Sequence, residues 1–416
     1  AFYLGKLGSA AISAPSISFP IVFFLIVFAF GFSTAGTALI SQSKGKGDRE
    51  RVDFYLGQMA TVMIIVGVLM SVLGVILAPA LLKLLAVPDD AYAFTRQYVR
   101  IIFAGLPFMF IAFILQAALH GIGDSLTPLF VLGGSVVLNI VLDPFFIFGI
   151  GDLPGLGVPG AAYATVCSRI IGSLAAFVIL RRGRRGVQLK LSNMKPERNA
   201  LKLLLKIGVP ASVGQGVSAL GFTVLQGIVN SFGTAAIAAF GVGNRIISLF
   251  NMPAIGFSRA TAVLVGQSLG AKNKPQAWRV VRLSGLAIFV FITVGMSIMF
   301  FRGADFVRVF IDEPEVLAYG RDLFRIVSMS VVFFALFTVI MGALDGAGET
   351  RPSMILNLSR LWILRIPLAY LLGYAASMGP KGIWWSMFVS NVVIAAIGLV
   401  VVSRGRWMDR LSPDEV

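Results

Sequence analysis

Eleven apolar runs, each longer than twenty residues, follow one another through this chain with short polar breaks between them. They cover 11–42, 55–84, 97–119, 127–149, 158–181, 200–231, 235–266, 279–301, 321–344, 353–376 and 382–403. About 20 helical residues span the roughly 30 Å of hydrocarbon in a bilayer. Inside that solvent every backbone N–H and C=O must find a partner within the protein, which helices achieve segment by segment. A barrel would need short alternating segments instead, and none occur here. The expected fold class is therefore an all-α polytopic membrane protein, with the lipid bilayer as its first partner. The composition agrees: 57% of residues are hydrophobic and 13% charged, whereas a soluble domain is nearer half and a quarter.

The formal charge of +16 does not point to nucleic acid, because the basic residues collect in particular loops. The breaks at 43–53, 120–127, 181–199, 268–283 and 345–352, with the tail from 403, carry 19 Lys and Arg; the opposite set carries 5. By the positive-inside rule the richer set faces the cytoplasm of a plasma or inner membrane. The longest basic break, Arg181 to Asn199, holds seven basic residues against one Glu.

Internal repetition organises the spans. Gly31-Phe32-Ser33 returns as Gly256-Phe257-Ser258, a shift of 225 positions (256 − 31). At that same shift Gly8–Ala14 meets Gly233–Ala239, Gln42-Ser43 meets Gln267-Ser268, and Gly45 meets Gly270. Ala118-Leu119-His120-Gly121-Ile122-Gly123-Asp124 likewise meets Ala343-Leu344-Asp345-Gly346-Ala347-Gly348-Glu349. A constant offset over more than a hundred residues predicts two lobes of six helices related by a parallel internal repeat. The opening Ala1-Phe2-Tyr3-Leu4-Gly5 reads as the end of a helix already under way, so the first helix is expected to lie mostly upstream. The predicted domains are an N-terminal lobe over 1–181, a basic cytoplasmic linker over 182–199, and a C-terminal lobe over 200–416. An even number of spans per copy keeps both copies pointing the same way, an arrangement that in transporters places the site near the membrane midplane.

Within this apolar background one stretch stands out, Leu138-Asn139-Ile140-Val141-Leu142-Asp143-Pro144. A carboxylate at that depth is expensive and is a functional-site hypothesis by default. Asn139 and Asp143 are four apart and share a helix face. Pro144 lacks an N–H, which leaves the Ile140 carbonyl without its helical partner. A carboxylate, an amide and a carbonyl on one face form a candidate seat for a proton or for Na⁺. The competing reading is an Asp that caps a broken helix or pairs with Arg169, the buried-depth arginine of 158–181; Arg169 itself reads equally as a counter-ion or as a cavity-lining residue. Gln116, Thr165 and Gln215, the last beyond a kink at Pro210, are polar positions that either line a cavity or bond a neighbouring helix. Arg245, Arg360 and Arg365 lie within later spans, where structural pairing or snorkelling is the default.

Enzyme signatures are missing. The chain has one His and one Cys, and no phosphate-cradling glycine loop followed by Lys-Ser/Thr, so no cofactor is expected beyond a coupling ion. Cys167 reads as a small buried hydrophobe. With 34 Phe and 14 Met, an adaptable cavity for bulky amphipathic compounds is within reach, although most of these residues serve to face lipid.

The repeated Gly-Phe-Ser…Gln-Ser…Gly pair, the Asn139-x-x-Leu142-Asp143-Pro144 segment and Gly160-Ala161-Ala162-Tyr163-Ala164-Thr165 resemble the multidrug and toxic compound extrusion (MATE) family over essentially the whole chain. Tyr3-Leu4-Gly5-Lys6-Leu7-Gly8 and Leu-Asp-Pro are most similar to its archaeal and DinF-like branch. The resemblance implies a monomeric antiporter that expels amphipathic or cationic compounds in exchange for H⁺ or Na⁺ by alternating access. It implies a coupling cluster in the N-terminal lobe: Asn139 and Asp143 on helix five, with Gln116 and Thr165 on helices four and six. That branch also uses an Asp near the end of helix one, upstream of this chain. NorM-like members use acids on helices seven and ten; here those positions show Gln215 and an acid-free 328–341. The alternative function is a flippase for lipid-linked precursors on a related two-lobe fold, for which Arg169, Arg245 and Arg365 would supply the cationic cavity.

Overall fold

In the computed structural model the structure describes residues 2–84, 87–150, 153–183 and 186–409. The helices are α1 Ser9–Lys46, α2 Arg49–Leu84, α3 Asp89–Ala104, α4 Leu106–Ile122, α5 Leu126–Phe148 and α6 Val158–Arg182, followed by α7 Arg198–Asn230, α8 Thr234–Gly270, α9 Lys274–Arg308, α10 Pro314–Gly346, α11 Thr350–Ala375 and α12 Pro380–Ser403. Between α5 and α6 a two-residue ladder pairs β1, Gly149–Ile150, with β2, Leu153–Pro154. Among the described residues ten helices are long and apolar enough to cross a membrane, and α3 with α4 forms an eleventh, bent crossing. The helix ends follow local chemistry. Gly47 takes a left-handed φ of 80° after α1, so its N–H and that of Asp48 return to the carbonyls of Lys44 and Ser43, closing the last turn.

Two spans differ from the single straight helices expected. The run 97–119 is two helices meeting at 45° around Gly105. Pro107 sits in the first turn of α4 and has no N–H to give to Phe103, and α6 comes so close that a Cβ on Gly105 would lie 2.5 Å from Val166 Cγ2. The run 353–376 is helical throughout, but Ser359–Arg365 and Leu371–Ala375 are wound as π-helix. Pro367 leaves the Ile363 carbonyl without its usual partner, and wider turns of this kind gather at functional sites.

The chain forms two compact units, the first ending at Ser212 and the second beginning at Val213. In the first, α1 packs on α2, α3 and α4, while α6 lies against α3, α4 and α5. In the second, α10 is the central helix, in contact with α8, α9 and α12. The Trp384 ring is fully buried there and stacks on Phe240 at 5.3 Å. Outward residues such as Phe130, Val136 and Ile140 of α5 and Phe291 and Val294 of α9 are exposed. Such a continuous apolar wall would be a liability in water and suits hydrocarbon.

The basic segment between α6 and α7 is not a free strap. It packs on α2 through buried side chains. Asp53 Oδ1 accepts from the Gln188 N–H at 2.7 Å and its other oxygen lies 3.0 Å from Lys190 Nζ. Gln58 Nε2 donates to the carbonyls of Asn193 and Lys195, both at 2.7 Å, and its Oε1 accepts from the Glu197 N–H at 2.9 Å. Thr61 donates to the Met194 carbonyl at 2.7 Å. These three polar residues of α2 thus satisfy a loop backbone that would be costly to leave unpaired.

Candidate functional site

The end of α5 is tied down before the site is built. The N–H groups of Leu156 and Gly157 donate to the carbonyls of Phe146 and Ile147 at 2.9 and 3.0 Å. Gly160, in the first turn of α6, sits so near that a Cβ there would lie 2.1 Å from the Phe146 oxygen. Only glycine permits this approach, and it sets α6 directly alongside the polar face of α5.

On that shared face Asn139 Nδ2 donates to Asp143 Oδ1 at 3.2 Å and to Thr165 Oγ1 at 3.4 Å. Thr165 in turn donates to the Ala161 carbonyl at 2.9 Å. One turn away Ser135 Oγ donates to the Ser168 carbonyl at 2.8 Å, a second polar stitch between the same two helices. Asn139, Asp143 and Thr165 are all half-buried. The Asn139 amide approaches one carboxylate oxygen, which leaves the second carboxylate oxygen and the Asn139 carbonyl as acceptors. With the Thr165 hydroxyl they make a set of neutral and anionic oxygens suited to a proton or a small hard cation. Among the described residues there is no group of three or more His, Cys, Asp or Glu that could hold a metal ion; a cation here would rest on the Asp143 carboxylate and neighbouring uncharged oxygens.

Arg169 makes no ion pair with Asp143 among the described residues. It is largely buried on α6, and its Nη1 has no hydrogen-bond partner. Tyr98 of α3 is within electrostatic range of both Arg169 and Asp143 and packs against the cluster of Leu4, Ile147 and Ala161. Sequence reading missed Tyr98. It precedes most of the apolar run in which it falls, and nothing in its neighbours marks it as lying near Asp143. Gln116 is half-buried on α4 and makes no hydrogen bond to Asn139 or Asp143. Gln215 belongs to the second unit and is exposed on α7.

A many-span helical protein with an acid inside a span, hydrogen-bonded by an amide and not paired with an arginine, has the make-up of a membrane transporter. The comparisons sharpen this. The MatE family model matches residues 1–145 and 210–371, and the chain belongs to that family of transporters, which are not enzymes. It is 31% identical over 381 residues to the probable multidrug resistance protein YoeA of Bacillus subtilis, covering 91% of this chain and 82% of that one. It is 28% identical to the probable multidrug resistance protein NorM of Thermotoga maritima, covering 98% and 88%, and 25% identical to a FAD transporter of Shewanella oneidensis, covering 94% and 86%. Among solved structures it superposes on a MATE protein in its bent conformation with a TM-score of 0.91, at 23% identity over 98% of this chain and 89% of the other.

Proposed function

We propose that this protein is a secondary active antiporter that exports amphipathic or cationic organic compounds in exchange for H⁺ or Na⁺. The observation that carries the reading is the Asn139–Asp143–Thr165 set, a mid-span carboxylate held between α5 and α6 by a neutral amide. An acid locked to a guanidinium would resist neutralisation; one held by an amide accepts a proton or Na⁺ with little rearrangement. Asp143 is the ion-responsive group, Asn139 and Thr165 orient it, and Gln116 and Arg169 supply polarity on the first unit's side of the substrate path. Neutralising Asp143 removes its hold on the Asn139 amide, and the α5 segment at Pro144 relaxes toward the outward-releasing state. The names of the relatives support multidrug export, and the distribution of Lys and Arg supports cytoplasmic basic loops in a plasma or inner membrane.

The test is uptake of a fluorescent organic cation into proteoliposomes under separately imposed pH and sodium gradients. Wild type is expected to respond to one gradient, and Asp143→Asn to accumulate normally in the membrane yet lose more than 90% of gradient-driven transport, as when a buried ionisable group carries the coupling. Full coupled transport by Asp143→Asn would exclude this assignment.

A further inference from the structure

The second unit carries a polar centre of the opposite sign. Arg360 and Arg365 lie on α11, 3% and 2% exposed, well inside the span Thr350–Ala375. Neither has a carboxylate partner among the described residues, and Arg365 feels the like charge of Arg360. Five residues apart on an α-helix, at about 100° per residue, they would point away from each other. The π-winding of Ser359–Arg365, with its i→i+5 bonds, brings them round to one side.

There both guanidiniums converge on one amide. Arg365 Nη2 donates to Asn391 Oδ1 at 2.6 Å and Arg360 Nη1 to the same oxygen at 3.5 Å. Arg365 Nε donates to Ser390 Oγ at 3.0 Å, and Arg360 Nη2 to Asn357 Oδ1 at 3.1 Å. Asn391 cannot turn away, because its Nδ2 donates to Ser330 Oγ and to the Ser330 carbonyl at 2.9 and 3.3 Å. Arg360 lies over the rings of Phe334 and Phe337, 4.9 and 5.5 Å from their centroids. Its Nε is buried and has no hydrogen-bond partner. Every acceptor in the centre is neutral, so two cations remain uncompensated in the low-dielectric interior, where unpaired charge is most costly.

The internal repeat gives this centre its meaning. α5 and α11 each follow a turn matched at the 225-residue shift, Gly123-Asp124 and Gly348-Glu349, and α6 and α12 each start after a glycine at φ 60°, Gly157 and Gly379. Asp143 adjoins Pro144; Arg365 stands two residues before Pro367. The same helix pair of each copy thus holds a polar centre beside its proline, acidic in the first and doubly basic in the second.

We infer that the Arg360–Arg365–Asn391 centre is an anion site, taking a small inorganic monovalent anion of the chloride class. An anion held by these buried guanidiniums must shed its water. A single-charge sphere does so at least cost and sets no angular demand on the N–H donors, whereas a phosphate would bring a larger desolvation penalty.

The test uses the full chain in detergent, with chloride replaced by gluconate at constant ionic strength. Wild type is expected to gain thermal stability saturably with chloride, by about 3 °C at concentrations some 100-fold above its Kd. It should bind labelled chloride near one per chain, displaced by bromide. Arg360→Gln should lose both responses. Asn391→Asp places a fixed carboxylate between the guanidiniums and should melt at least as high as wild type in gluconate, with no gain from chloride. Asp143→Asn should keep the full chloride response, which separates this site from the transport assignment. Equal stability of wild type in the two salts with no bound chloride, or an unchanged response in Arg360→Gln, would overturn the proposal.

Discussion

Asp143 is held at 3.2 Å by the Asn139 amide, while Arg169, one turn along α6 from Thr165, keeps an unpartnered nitrogen. The sequence placed these three residues in one neighbourhood and left open which pair forms. A double-mutant cycle on unfolding in detergent measures the answer. Asn139→Ala with Asp143→Asn should show a coupling of about 1 kcal/mol, as for hydrogen-bonded neighbours, and Arg169→Gln with Asp143→Asn less than about 0.5 kcal/mol, as for groups without a shared contact. A larger coupling for the Arg169 pair would restore the counter-ion reading. The polar character of Asn139, Asp143 and Thr165 was legible because a polar residue in an apolar run has few innocent explanations. Tyr98 was not, since an aromatic near a membrane interface is unremarkable in sequence and acquires significance only when α3 packs against α6.

The helices themselves follow from local rules, and their irregularities follow from contacts. Gly160 is a small residue in a helical run, and sequence marks it as permissive without saying what it approaches. The Phe146 carbonyl, 2.1 Å from where its Cβ would sit, supplies the reason. Gly160→Ala should separate α5 from α6 and cost on the order of 2 kcal/mol, as for overpacked sites, read as a lowered unfolding midpoint together with weakened transport. An unchanged midpoint would show that the two helices tolerate the separation. The clasp on the basic segment makes a different prediction. Gln58 holds three backbone groups of that segment, and losing them exposes about 1 kcal/mol or more of unmade hydrogen bonding apiece. Gln58→Ala should leave the spans folded but accelerate trypsin cleavage between residues 186 and 198 several-fold; cleavage at the wild-type rate would show that the clasp is dispensable. Sequence identified this segment as a connector by its charge, but not its seat, because the residues that bind it lie about 135 positions upstream.

Orientation belongs to the whole molecule, and the loops offer a direct reading of it. In a Cys167→Ser background, Met378→Cys should react with an impermeant maleimide in intact cells, and Ala271→Cys only after the membrane is opened; the reverse pattern would invert the topology inferred from Lys and Arg. The number and kind of spans, the doubled plan and the anomalous acid were all determined by the sequence alone. Each is a matter of length, polarity or periodicity along the chain, and a bilayer enforces those requirements segment by segment. The tertiary structure alone decided that the Asn139 amide also reaches Thr165 of α6, that Arg360 and Arg365 converge on Asn391, and that the basic segment lies against α2. These are contacts between separate elements, selected by how closely their backbones approach and by which buried polar atoms still lack a partner.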